Sequence, residues 1–132
     1  IYQKFCRDMK NSRVIGNAAE EAAAEWIEKN KGYIVLERNY SCAAGEIDII
    51  AKDKDTTVFI EVKYRKNTEK GYPSEAVTET KQKRIIRTAM TYVSENNTDN
   101  IRFDVAEIVE KDGRKYIRYI ENAFEWRSYP WY

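Results

Sequence analysis

Two short segments of this sequence carry side chains that could do chemistry together: Glu46 and Asp48 in EIDIIA, and Glu61 and Lys63 in VFIEVKY. Residues two apart on a β-strand share a face. Phe59, Glu61 and Lys63 therefore point one way, and Val58, Ile60 and Val62 the other. On the preceding segment Glu46 and Asp48 share a face, with Ile47 and Ile49 opposite. If the two segments pair as an antiparallel hairpin, Asp48 and Glu61 meet on one face of the sheet. A glutamate and a lysine in an otherwise apolar strand are costly to desolvate unless they are paired or ligate something. Two adjoining carboxylates repel, and a hard divalent cation relieves that repulsion. With Lys63 beside it, such a cation could hold and help deprotonate a water and neutralise charge building on a phosphate. The other reading is an ordinary salt-bridged pair at a sheet edge. Spacing alone leaves the two open.

The surrounding charge and composition narrow the chemistry. Residues 17–62 carry ten acids against five bases, and residues 63–87 carry eight bases against three acids. That basic stretch, with Arg65, Lys81, Lys83, Arg84 and Arg87, suits a polyanion held beside a bound cation. Two solvated surfaces of opposite sign would give the same counts, and the net charge is only +1. The chain has no histidine, which removes serine–histidine and cysteine–histidine hydrolases and every histidine-ligated metal. Catalysis would rest on carboxylates, lysine, tyrosine or an oxygen-liganded metal. Cys6 and Cys42 have no CxxC spacing and read as idle thiols in a reducing compartment, so a cytoplasmic location is expected. No apolar run approaches the ~20 residues needed to cross a bilayer, and no signal peptide opens the chain, so no membrane partner is expected.

The elements that must position these residues follow from periodicity. Ala18, Ala19, Ala22, Ala23, Trp26 and Ile27 recur at helical spacing over residues 13–31, and Gly32 ends that helix. Strands are expected over residues 33–40, 46–51 and 58–64, the third apolar enough to lie centrally in a sheet. A polar loop follows, and Ser74 is the expected N-cap of a helix running to about Ser94, with Ala76, Ile85, Ile86, Ala89, Met90 and Val93 on its buried side. A fourth strand spans residues 101–109, Asp112-Gly113 reads as a hairpin turn, and a fifth strand spans 115–120. The order helix, three strands, helix, strand, strand predicts one α/β layered domain. With 132 residues, 42% hydrophobic and 34% charged, the chain fits a single globular domain. The first residue is Ile1, so residues 1–8 read as an extension or the remnant of a longer chain, residues 9–125 as the domain, and residues 126–132 (WRSYPWY) as an aromatic tail. That tail suits core capping or a homodimer contact.

Gly45-Glu46-Ile47-Asp48 followed by Phe59-Ile60-Glu61-Val62-Lys63-Tyr64-Arg65 resembles the D…ExK core of the restriction-endonuclease-like superfamily. The element order is similar to that fold's mixed-sheet core, with a further C-terminal strand. More narrowly, the chain resembles the YraN family of endonuclease-like proteins. The matching positions are Gly16-Asn17-Ala18-Ala19-Glu20, Gly32-Tyr33, Arg38-Asn39, the two segments just quoted, Ser74-Glu75-Ala76-Val77, Lys81 to Arg84 and Arg102-Phe103-Asp104-Val105. They cover the chain from about Met9 to Glu125. A lone ExK is a weak signal, but this ordered series is specific. The resemblance implies that Asp48 and Glu61 ligate Mg²⁺ or Mn²⁺, that Lys63 is the catalytic lysine, and that Glu20 is an auxiliary acid, as in the similar Holliday-junction resolvases. Glu46 would be a supporting or substitute ligand. Ala19 departs from the pattern, which usually has glycine before the glutamate.

Together these readings predict a metal-dependent nuclease acting on DNA, including branched or processed structures, with phosphates held by Arg65, Lys81, Lys83, Arg84 and Arg87. For Arg65 and Glu20, plain surface charges are the competing readings. Arg102 and Asp104 read as a structural ion pair. Two other functions stay open: a nucleic-acid-binding module of the same fold without turnover, and the nuclease tip of a larger secreted toxin, whose partner would be an immunity protein.

Overall fold

A computed structural model of the chain, describing residues 2–5, 12–66 and 77–126, turns these periodicities into one six-stranded sheet with a helix on each face. In chain order the elements are β1 (Tyr2–Phe5), α1 (Ser12–Trp26, finishing in a π turn, Ile27–Lys31), β2 (Ile34–Cys42) and β3 (Gly45–Asp53). Then come β4 (Thr56–Arg65), α2 (Glu79–Asn96), β5 (Ile101–Lys111) and β6 (Arg114–Phe124). The spatial order is β1-β6-β5-β4-β3-β2. Only β4 and β5 run parallel, and α2 makes the crossover between them; every other pair is antiparallel. From α1 onward this is the helix, three strands, helix, strand, strand order expected from the sequence.

Two apolar clusters hold the layers together. Beneath α1, Ala19, Ala23, Ala24 and Ile27 pack on Ile49, Ile60, Ala106 and Ile108. Beneath α2, Ile85, Ile86 and Ala89 pack on Ile50, Phe59, Phe103 and Val105. Ile49, Ile50, Ile60 and Ile108 are wholly buried, and each such side chain contributes about 1.5–3 kcal/mol by leaving water. β4 and β5 are central and covered on both sides, as the apolar run in β4 predicts.

Several boundaries differ from the sequence expectation. α2 starts at Glu79, capped by Thr78, whose Oγ1 accepts from the Lys81 N–H at 3.2 Å. That side chain satisfies one of the helix's orphan donors, whereas the expected cap Ser74 lies outside the described residues. Tyr2–Phe5, read as part of an extension, forms an edge strand paired with β6. Of the aromatic tail only Trp126 is described, and it is 40% exposed. Gly45 opens β3 at φ +152, and a Cβ there would stand 3.2 Å from Thr88 Oγ1 of α2. Glycine lets β3 start close against that helix.

Candidate active site

β3 and β4 pair in register from Asp53↔Thr56 to Ile49↔Ile60. One step further Asp48 would stand opposite Glu61, but the ladder ends first. Instead Asp48 Oδ2 accepts the Val62 N–H at 2.8 Å. A side-chain carboxylate has taken the place of a backbone acceptor, and the strands splay around it. The same break corrects the expected alternation: Ile47 packs in the cluster beneath α2 while Ile49 packs in the one beneath α1. The two isoleucines do not share a face, because β3 loses its period of two where it leaves β4.

The splay gathers four titratable groups. Asp48 and Glu61 are both buried, at 9% and 5% exposure, and lie close enough for the charge of Glu61 to act on Asp48. Lys81, from the first turn of α2, places Nζ 2.9 Å from Glu61 Oε1. Lys63 Nζ stands 3.7 Å from the same oxygen. Burial pushes the Asp48 carboxyl up to about 8, helped by the charge of Glu61 and, less strongly, of Glu20, and opposed by the Val62 hydrogen bond. Asp48 therefore keeps its proton to higher pH than an ordinary carboxyl does. Burial lowers the Lys63 ammonium, as does the adjoining Lys81, against the pull of Glu61 and Asp48. Lys81 is desolvated too, yet its contact with Glu61 outweighs that and raises it.

The structure thus brings together Asp48, Glu61 and Lys63. Glu20 lies half-buried on α1, close enough for its charge to act on Asp48. Glu46 is exposed, opposite Ser41 on β2, and stays apart. Lys81, expected as a phosphate contact, is the finding that spacing missed: it is paired inside the cluster. Its place in the first turn of a helix that follows the ExK strand was the available signal, but the direction of that turn was not legible. Of the other basic residues, Lys83 pairs with Glu79 at 3.4 Å, and Arg84 and Arg87 are exposed along α2. Arg65 Nε stands 3.6 Å from Glu107 Oε2. Glu107 is wholly buried beside Lys63 on the neighbouring strand, and neither of its oxygens has a hydrogen-bond donor. A cleft of about 190 Å³ lined by Arg102, Asn122 and Trp126 contains none of these groups.

Asp104 provides an internal contrast. It too accepts a backbone N–H where a ladder slips, that of Asn122 at 2.9 Å. Its carboxylate also takes two bonds from Arg102 at 2.9 Å and one from Tyr119 Oη at 2.5 Å, and Arg102 reaches on to Asp53 and the Tyr33 hydroxyl. A wholly buried charge met by four donors, two of them from one guanidinium, is a structural lock, as the ion-pair reading expected. Asp48 has one donor and a like charge for a neighbour.

The donor set at Asp48 and Glu61 fits a hard, octahedral cation. Magnesium-type sites take one or two carboxylates and complete their shell with water and substrate phosphate. Among the described residues no group of three or more acidic or thiol side chains forms a fuller cage, and no histidine exists for a zinc site.

A mixed sheet between two helices, with two buried carboxyls and two lysines gathered where the β3–β4 ladder ends, defines a small α/β domain. Residues 19–108 match the profile of uncharacterised protein family UPF0102, and the chain belongs to that family. It is 46% identical over 118 residues to a UPF0102 protein of Caldicellulosiruptor saccharolyticus, covering 86% of this chain and 99% of that one. A UPF0102 protein of Clostridium botulinum is 47% identical over 116 residues, covering 84% and 94%. Among solved structures, a repair endonuclease from Pyrococcus abyssi superposes at TM-score 0.45 and 23% identity, covering 82% of this chain and 42% of that one. No helix among the described residues is long and apolar enough to cross a membrane.

Proposed function

We propose that the chain is a metal-dependent nuclease hydrolysing phosphodiester bonds in DNA, branched or processed structures included. The observation that carries this reading is the pair of buried, adjoining carboxyls, Asp48 and Glu61, with two lysines on one oxygen of the pair. Such an arrangement is costly as a structural element, because two acids of like charge share a desolvated site. It suits a site in which a cation relieves that repulsion. Asp48 and Glu61 would hold Mg²⁺ or Mn²⁺, which supplies charge neutralisation at a phosphate and acidifies water. Lys63, its ammonium lowered by burial and by Lys81, is tuned to move a proton at the attacking water or to stabilise charge on the phosphate. Arg84 and Arg87, exposed on α2, and Arg65 offer a path for the backbone.

The test is incubation of the purified protein with Mg²⁺ or Mn²⁺ and duplex, single-stranded and branched DNA, alongside Asp48→Ala and Glu61→Ala. Cleavage lost in both variants is expected. Cleavage that persists equally in both sinks the assignment. A binding module of the same fold without turnover is the second reading, favoured by the lack of a third acid within the cluster among the described residues. It predicts no calorimetric heat with millimolar Mn²⁺.

A further inference from the structure

Lys81 stands where a charge-balancing cation would stand. Its Nζ is 2.9 Å from Glu61 Oε1, while its side chain is 44% exposed against 6% for Glu61. Lys63 approaches the same oxygen less closely, at 3.7 Å, and is 24% exposed. The two ammonium groups also adjoin each other, and Lys81 lowers that of Lys63. Of the two lysines, the one closer to the oxygen is therefore the more open to solvent. It springs from the first turn of α2, with Arg84 and Arg87 exposed further along the same helix.

With both lysines in place the cluster is already neutral once both carboxyls ionise, so a divalent cation would bring an excess of two positive charges into a buried site. Coulomb repulsion at these distances is large when solvent is excluded. Moving the Lys81 ammonium onto a phosphate outside removes one of those charges and frees the Glu61 oxygen. The long, flexible stem of a lysine permits that excursion without moving the helix.

We propose that Lys81 is a built-in counter-cation that couples nucleic-acid binding to metal binding: it holds Glu61 in the free protein, and a backbone phosphate draws it off, so that cation and nucleic acid bind cooperatively. This rests on the metal-site reading above and names the residue that regulates it. Linkage makes the effect reciprocal, so the cation tightens nucleic-acid binding by the same factor.

The experiment is titration calorimetry of the full chain with MnCl₂ at one fixed pH. It is run with and without a short duplex whose phosphorothioate linkages resist hydrolysis. For the unsubstituted protein the duplex is expected to tighten Mn²⁺ binding about tenfold, and Lys81→Gln is expected to bind Mn²⁺ about three- to tenfold tighter without duplex, with little further gain on adding it. Lys81→Arg, which keeps the charge, is expected to behave as the unsubstituted protein. If Lys81→Gln binds Mn²⁺ no tighter than the unsubstituted protein, or keeps the full response to duplex, the counter-cation role is overturned and the metal site stands. If Glu61→Ala binds Mn²⁺ as well as the unsubstituted protein, or nothing binds at millimolar Mn²⁺, the metal site itself falls.

Discussion

Replacing Asp48 by asparagine should remove one large pH-dependent part of the fold's stability. In the unfolded chain this carboxyl ionises near its ordinary value of 3.8; in the fold it keeps its proton up to about 8. Between those values the native state binds one more proton than the unfolded state, so stability falls as pH rises. The contribution is complete below pH 3.8 and is lost as pH climbs through 8. Each pH unit in that window is worth about 1.4 kcal/mol, so a rise from pH 5 to pH 7.5 should cost about 3 kcal/mol. That is a large share of the ~5–15 kcal/mol that holds a small domain together. Asparagine mimics the protonated acid: its oxygen can still accept from Val62 N–H and its amide can still donate to Glu61. The assay is urea unfolding of both proteins at several pH values, with a chelator present. Lys63, shifted in the opposite sense, acts at the alkaline end, so the series stops below pH 8. Glu107, whose carboxyl burial also pushes up against the pull of Arg65 and Arg118, contributes equally to both proteins and cancels in their difference. The asparagine variant should gain on the parent steadily as pH rises. A difference that does not change with pH would refute the burial and like-charge account of Asp48.

Lys63→Ala should lower DNA cleavage about 10²–10³-fold, the usual cost of deleting one group that stabilises a transition state, while Mn²⁺ binding measured by calorimetry persists. Asp104→Ala should destabilise the fold by about 3–5 kcal/mol in thermal or urea unfolding, because it leaves Arg102 and Tyr119 facing an uncompensated site. It should leave Mn²⁺ binding unchanged at temperatures where the variant is folded. Thr78→Ala, which removes the cap on α2, should cost about 1 kcal/mol in unfolding free energy.

The residue pattern alone was enough to write down most of the elements. Period-two alternation marks β4, helical spacing of Ala19, Ala23 and Ile27 marks α1, and Asp112-Gly113 marks the β5–β6 turn, where both residues take positive φ. These signals are legible because backbone geometry repeats over two or 3.6 residues, within the reach of the local sequence. The pattern also put Glu61 and Lys63 on one face and made Asp48 a neighbour across the hairpin. The resemblance, not the spacing, supplied the reason to regard them as a nuclease site.

Tertiary structure decided the rest. Nothing local distinguishes Asp48 from Asp104: each lies in an apolar strand and each accepts a backbone N–H at an interrupted ladder. They differ in what other elements bring to them. Arg102, Tyr119 and Asn122 saturate Asp104, while Asp48 receives Val62 and the like charge of Glu61. Likewise Lys81 reads as one base in a basic stretch until α2 turns it onto Glu61. The sequence by itself determined which residues stand on β4 and that Glu61 and Lys63 share a face, with Asp48 beside them if β3 and β4 pair as a hairpin. Only the tertiary structure determined which of them are desolvated, which are satisfied, and that a second lysine completes the cluster. Desolvation and charge coupling depend on distances between elements far apart in the chain, and no local period records those distances.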